Sequence, residues 1–368
     1  MNIGKEEYQQ RVRDVRKQLS GLNVQGLIVI GVENVRYLTG FRGHDSWVLV
    51  LPRSVVLITD SRYAEQARGE CVGCEVVEHK GGLAKEAEKI ITKQKGIAAL
   101  GIENNCSVAL LKGVRKQISA KIKPVDKVVE NVRITKTDGE VRLIRKASKI
   151  AFDAMDWALK QLKVGMTERQ LAALYEYKLS DFGAKIGFET IACFGANGSR
   201  NHHQPGSRKL KKVDTILLDF GANYEGYISD TTRSFAVGKI TPFFQKVYET
   251  VAGAQQNAIK TIAAGVKGFD VDAAARAVIA QTDLPVYGHG TGHGLGLEVH
   301  ESPRLSHMDK KAILRAGHVV TVEPGIYLPG KLGVRLEDDV LVTSTGAVVL
   351  SRDKRFDVKP ERVPLLKV

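Results

Sequence analysis

The stretch Ile216-Leu217-Leu218-Asp219-Phe220-Gly221-Ala222-Asn223-Tyr224-Glu225-Gly226-Tyr227-Ile228-Ser229-Asp230-Thr231-Thr232 reads as two apolar runs about a polar, glycine-containing turn. That is the pattern of an antiparallel hairpin with one aspartate in each arm. A turn centred between Tyr224 and Glu225 leaves Asp219 and Asp230 equidistant from it, so their side chains are expected to face each other with Cβ atoms about 4.5–5.5 Å apart. Two like charges so placed destabilise the pair unless a cation lies between them. The apolar neighbours of Asp219 predict that it is buried, and buried charges are paired or bind metal ions.

Two further carboxylates follow the same logic. Glu323 ends the apolar run His318-Val319-Val320-Thr321-Val322 and precedes Pro324-Gly325, which predicts a carboxylate at a strand end beside a turn. Glu337 stands in Val334-Arg335-Leu336-Glu337-Asp338-Asp339-Val340, where strand alternation sets Arg335 and Glu337 on one face and Val334 and Leu336 on the other. Between the two regions lies Gly288-His289-Gly290-Thr291-Gly292-His293-Gly294-Leu295-Gly296-Leu297-Glu298-Val299-His300-Glu301. Its glycines argue against a helix and predict a loop or irregular strand whose bare backbone allows close approach. Three histidines here, with the His202-His203 pair, point to function rather than packing. Four carboxylates and an imidazole suit a pair of divalent ions such as Mn²⁺, Co²⁺, Zn²⁺ or Fe²⁺.

Outward from these residues, the C-terminal part is expected to be a repeat at a spacing of about 100 residues. Leu162-Lys163-Val164-Gly165-Met166 precedes a helix at Thr167 to Ser180, as Ile262-Ala263-Ala264-Gly265-Val266 precedes one at Asp270 to Ala280. Each half then supplies groups in the same order: His202, Asp219 and Asp230, then His300, Glu323 and Glu337. A polar passage around Asn131 to Gly139, followed by a long helical period from Asp138, marks a domain boundary, giving domains 1–133 and 134–368. In the first, apolar runs at Gly26 to Ile30, Trp47 to Leu51, Val55 to Thr59, Glu75 to Glu78 and Ala99 to Ile102 alternate with amphipathic stretches, as in an α/β domain.

Composition agrees with a folded chain of this size. Its 368 residues are 43% hydrophobic and 26% charged with 10 prolines, which excludes a disordered or fibrous protein. Apolar stretches fall short of the ~18 residues needed for a membrane span, and the N-terminal segment lacks the apolar core of a secretory signal, so a cytoplasmic protein is expected. Four cysteines are too few for a disulfide framework, and the lone Cys71-Val72-Gly73-Cys74 is expected to be a pair of ordinary thiols. The net charge of +14 raises the question of nucleic acid, but the basic residues are spread among carboxylates, and neither zinc-finger spacing nor an aromatic-studded basic motif occurs. Nucleic-acid binding is therefore not expected.

With these residues in view, the sequence resembles the metallopeptidase family of aminopeptidase P, prolidase and methionine aminopeptidase. The segments LLDFGANYEGYISDTTRSF, GHGTGHGLGLEVHE, VEPGIY and RLEDDVLV match its metal-site motifs in order and spacing. The resemblance implies a pita-bread α+β catalytic domain with a pseudo-twofold repeat. It also implies two divalent ions, manganese foremost, held by Asp219, Asp230, His293, Glu323 and Glu337, with Glu323 also the general base. His202, His289 and His300 fall where the family binds substrate and steadies the tetrahedral intermediate, and Arg335 matches an arginine beside the last glutamate. Asn201 and Tyr287 depart from residues common at their positions. The segments Glu33 to Phe41 and Thr59 to Tyr63 look like the small N-terminal domain of the proline-specific members and creatinase. Creatinase lacks the metal ligands, so the resemblance implies hydrolysis of Xaa-Pro bonds in proline-containing peptides, by a homodimer. The expected enzyme is an Xaa-Pro aminopeptidase. The alternatives are an Xaa-Pro dipeptidase and a non-catalytic peptide- or RNA-binding relative.

Overall fold

A computed structural model describes residues 3–368. The chain divides into two compact units, one ending at Arg133 and one running Ile134–Val368. No helix of the described residues is long and apolar enough to cross a membrane.

The N-terminal unit is a six-stranded mixed sheet with helices between its strands. In spatial order the strands are Glu75–Glu78, Val55–Thr59, Ser46–Val50, Leu27–Val29, Ala99–Glu103 and Lys121–Val125. The first five match the apolar runs expected to be strands. The sixth, Lys-Ile-Lys-Pro-Val, carries lysines and a proline because it is an edge: those residues block further strand addition and also erase the apolar signal.

The C-terminal unit repeats one design twice. The helix Asp138–Lys160 opens with a capping box between Thr137 and Glu140, and Glu168–Asp181 opens with another between Thr167 and Gln170. The corresponding helices of the second half are Pro242–Thr261 and Gly268–Ala280. Gly165 and Gly265 join each pair with φ of 87° and 91°. The Gly165 N–H donates to the Leu210 carbonyl at 2.8 Å, and that of Gly265 to the Leu314 carbonyl at 2.8 Å. Each half then folds a long antiparallel hairpin, Asp214–Phe220 with Thr231–Val237 in one and Val319–Val322 with Asp338–Val342 in the other. The helices pack apolar faces on these sheets, and each half has its own core, with Phe152, Phe194 and Phe220 in the first and Phe244, Tyr248 and Val322 in the second.

The first hairpin corrects the expected register. Its turn is Glu225-Gly226, with φ of 48° and 85°, and Tyr224 pairs with Tyr227. Two successive positive φ values make a type I′ turn, whose twist matches that of the strands and which favours glycine at its second position. Asp219 therefore pairs with Thr232, and not with Asp230. The shift is of two positions, so it leaves both aspartates on one face; a shift of one would have parted them.

Candidate metal centre

Both long hairpins are interrupted midway, and the acidic residues cluster at the interruptions. In the second, Val322 pairs with Asp338 on one side of the break and Gly325 with Arg335 on the other. Continuing either ladder sets Glu323 across from Glu337. The expected single strand through Val334 to Val340 is thus two strands, Leu332–Arg335 and Asp338–Val342. Arg335 and Glu337 still share a face, because both reach Thr232. The Thr232 hydroxyl donates to Glu337 Oε2 at 2.6 Å and accepts from Arg335 Nε at 3.0 Å. The Glu337 N–H donates to the Thr232 carbonyl at 3.1 Å, which ties the two hairpins together at the site.

His293 enters from the strand Gly292–Gly294. A Cβ at Gly292 would lie 1.9 Å from the Thr321 carbonyl oxygen, and one at Gly294 2.2 Å from that of Ser302, so only glycine fits on either side of the imidazole. Nδ1 of His293 donates to the Gly294 carbonyl at 3.0 Å, because a carbonyl can only accept. With burial holding the ring's pKa down near 4, the neutral imidazole turns the lone pair of Nε2 outward. That lone pair lies 3.5 Å from Glu323 Oε1 and 3.7 Å from Asp230 Oδ2. An acceptor thus faces two acceptors, an arrangement that a cation satisfies. Ligand atoms of Asp230, His293 and Glu337 all lie within 4.8 Å of one another.

The electrostatics repeat this conclusion. Burial and then the neighbouring carboxylates push Asp230 and Glu337 well above the ordinary carboxylate range, while burial raises Glu323 to about 7. Asp219 accepts from Arg335 at its Oδ2, at 2.7 Å. Its Oδ1 is buried with no hydrogen-bond partner among the described residues, and so is free to coordinate.

The remaining histidines line the same region. The His300 ring stands 4.4 Å from that of His293 and is exposed, as is His202. His289 is tied at both nitrogens, with Nδ1 donating to the Gly290 carbonyl at 2.7 Å and Nε2 accepting from the Tyr327 hydroxyl at 3.0 Å. Arg335 donates to that hydroxyl at 3.0 Å, so a chain runs from Asp219 through Arg335 and Tyr327 to His289.

Several supporting residues escaped the reading of the sequence. Asp339 accepts the Asp230 N–H at 3.2 Å, and Thr321 accepts the His293 N–H at 3.1 Å. The fully buried Arg233 donates to the Glu337 carbonyl and, at 2.7 Å, to Asp338. The run Glu337-Asp338-Asp339 in an otherwise apolar strand was their visible signal, since three acids in succession need partners on both faces of a buried sheet.

Residues 142–344 match the model of metallopeptidase family M24, and residues 11–135 that of the creatinase/prolidase N-terminal domain. The chain is 32% identical over 350 residues to an Xaa-Pro dipeptidase of Pyrococcus horikoshii, covering 94% of this chain and 98% of that one. Its fold matches an Xaa-Pro dipeptidase of Bacillus anthracis with a TM-score of 0.91 at 33% identity, over 98% of this chain and all of that one. It matches an X-Pro aminopeptidase of Thermotoga maritima with a TM-score of 0.86 at 32% identity, over 96% and 99%. The chain therefore belongs to metallopeptidase family M24 and carries the N-terminal domain shared by creatinase and prolidase.

Proposed function

We propose that this metallopeptidase is an Xaa-Pro dipeptidase holding two divalent cations through Asp219, Asp230, His293, Glu323 and Glu337. The observation that carries the metal assignment is Nε2 of His293 lying 3.5 Å from Glu323 Oε1 and 3.7 Å from Asp230 Oδ2. The donor set of four carboxylates and one imidazole suits Mn²⁺ first, with Co²⁺, Zn²⁺ or Fe²⁺ as alternatives. When bound, such ions supply Lewis acidity toward the scissile carbonyl and make water a nucleophile near neutral pH.

The side chains do the rest. Glu323, whose Oε1 lies 3.5 Å from His293 Nε2 at the centre, is placed to accept a proton from the attacking water and return it to the departing nitrogen. That return matters for proline, whose amide nitrogen has no hydrogen of its own and leaves as a secondary amine. His202 and His300 border the centre from the solvent side and would steady the developing oxyanion. Arg335 neutralises Asp219 and holds Tyr327. A substrate contact by His289 requires its Nε2 to exchange the Tyr327 hydroxyl for substrate.

The named relatives support the dipeptidase alternative better than the aminopeptidase expected from the sequence: dipeptidases of P. horikoshii and B. anthracis match along nearly the whole chain. The T. maritima structure keeps the aminopeptidase as the second reading. Incubating the protein with Xaa-Pro dipeptides and Xaa-Pro-Xaa tripeptides, with and without chelator, tests the assignment. Chelator-sensitive cleavage of dipeptides alone is expected. Preference for tripeptides would establish the second reading, and inertness toward both would refute a proline peptidase.

A further inference from the structure

Two fully buried carboxylates take no part in the centre just described, and they occupy related places in the repeat. Glu168 is the first residue of the helix Glu168–Asp181, and Asp272 lies in the first turns of Gly268–Ala280. The segment before each helix bridges to a matching strand, Thr167 with Lys209 and Lys267 with Ile313.

Glu168 gathers a loop. Its Oε1 accepts from the Phe194 N–H and from Asn197 Nδ2, each at 2.8 Å. Its Oε2 meets His203 Nε2 at 2.9 Å and the Gly206 N–H at 3.0 Å. These donors span the segment that carries His202. Asp272 does the same in the other half. Its Oδ1 accepts from the Thr291 N–H at 3.0 Å and the Thr291 hydroxyl at 2.8 Å, and its Oδ2 from Arg276 Nε at 2.6 Å. Arg276 then forks to the carbonyls of Tyr287 and His289, and the Thr291 carbonyl accepts the Glu323 N–H at 2.7 Å. Even the adjoining histidines correspond, with His307 Nδ1 3.7 Å from Asp272 Oδ2 where His203 touches Glu168.

We propose that Glu168 and Asp272 are paired positioning residues, one per repeat, each of which fixes a histidine-bearing loop: Glu168 the 194–206 segment with His202, and Asp272 the 287–291 segment with His289. The inference rests on the peptidase reading for its catalytic consequence and on the geometry alone for its structural one. A carboxylate is the group of choice here, because it accepts several hydrogen bonds without donating any. A glutamine at 168 would turn an NH₂ toward two of the donors it now receives.

The test uses the full-length, metal-loaded protein. Glu168→Gln should raise amide hydrogen exchange across 194–206 and leave 287–291 unchanged. Arg276→Lys keeps a cation near Asp272 but cannot fork to two carbonyls, so it should do the reverse. On an Xaa-Pro dipeptide each variant should raise KM about tenfold to a hundredfold at unaltered metal content, as expected of misplaced substrate contacts. A role confined to stability would lower the folded, active fraction, and so kcat, at constant KM. Should Glu168→Gln fail to fold, His203→Ala removes one tie from the same loop and is read in the same way. Unchanged exchange in the variant's own loop, or unchanged KM, overturns the proposal. A wild-type protein that cleaves no proline peptide would sink the peptidase reading alone, and the exchange arms would still decide the anchoring.

Discussion

At the scale of single residues, the centre is a set of acids that repel one another. Burial and neighbouring charge hold Glu337 and Asp230 far above their ordinary pKa, so the metal-free fold is destabilised by its own site. Glu337→Gln should therefore stabilise the chelated protein by about 1–3 kcal/mol in thermal or denaturant unfolding, while it abolishes activity. Loss of stability on that change would show that the acids are not in conflict. The sign of the pH dependence follows from Glu323, raised from 4.5 to about 7 by burial. Its contribution to folding is fully present below 4.5, where the folded and unfolded states are both protonated, and it is lost as the pH rises through about 7. Metal-free protein should thus become less stable across that interval. Cation affinity should rise over the same range, since the ions take up the deprotonated form. Titration calorimetry at several pH values checks both. Affinity that falls with rising pH would exclude Glu323 as a ligand.

At the scale of elements, the strand Gly292–Gly294 shows how tightly backbone geometry specifies the site. Gly292→Ala would drive a methyl group into the Thr321 carbonyl, which is backbone and cannot give way. The expected result is a loss of metal binding with a fall in stability of several kcal/mol; a variant that retains both would mean that the strand can move aside. The elements also show what the sequence discloses. The helical period from Asp138, the helix beginning near Thr167, the five apolar strands of the N-terminal unit and the order of histidines and acids in the two repeats were all legible, because each is a local pattern. The edge strand Lys121–Val125 was not, since its lysines and proline serve to prevent pairing. The expected pairing of Asp219 with Asp230 gives way because the turn centres between Glu225 and Gly226, with Gly226 at the second position of a type I′ turn. The roles of Glu168, Asp272 and Tyr327 depend on contacts between residues far apart in the chain, and nothing in their local surroundings marks them.

At the scale of the whole molecule, the positive charge resolves into a solvated surface. Lys149 pairs with Asp153, Lys160 with Asp156, and Arg355 with both aspartates, as expected of exposed helical faces. The two units keep separate cores, and the acids and the imidazole of the proposed centre all lie in the second. Scanning calorimetry with and without chelator should shift only the transition of that unit, by several degrees at saturating cation, because ligands that bind the folded state alone stabilise it. A common shift of all transitions would show that the units unfold as one. The pairing of Asp219 with Arg335 has a consequence for biosynthesis: the two lie 116 positions apart, with the acid synthesised first. A nascent polypeptide has its first two acids in place long before their counter-charge leaves the ribosome. Chains arrested short of Arg335 should gain no resistance to proteolysis from added Mn²⁺, whereas released full-length chains should gain it.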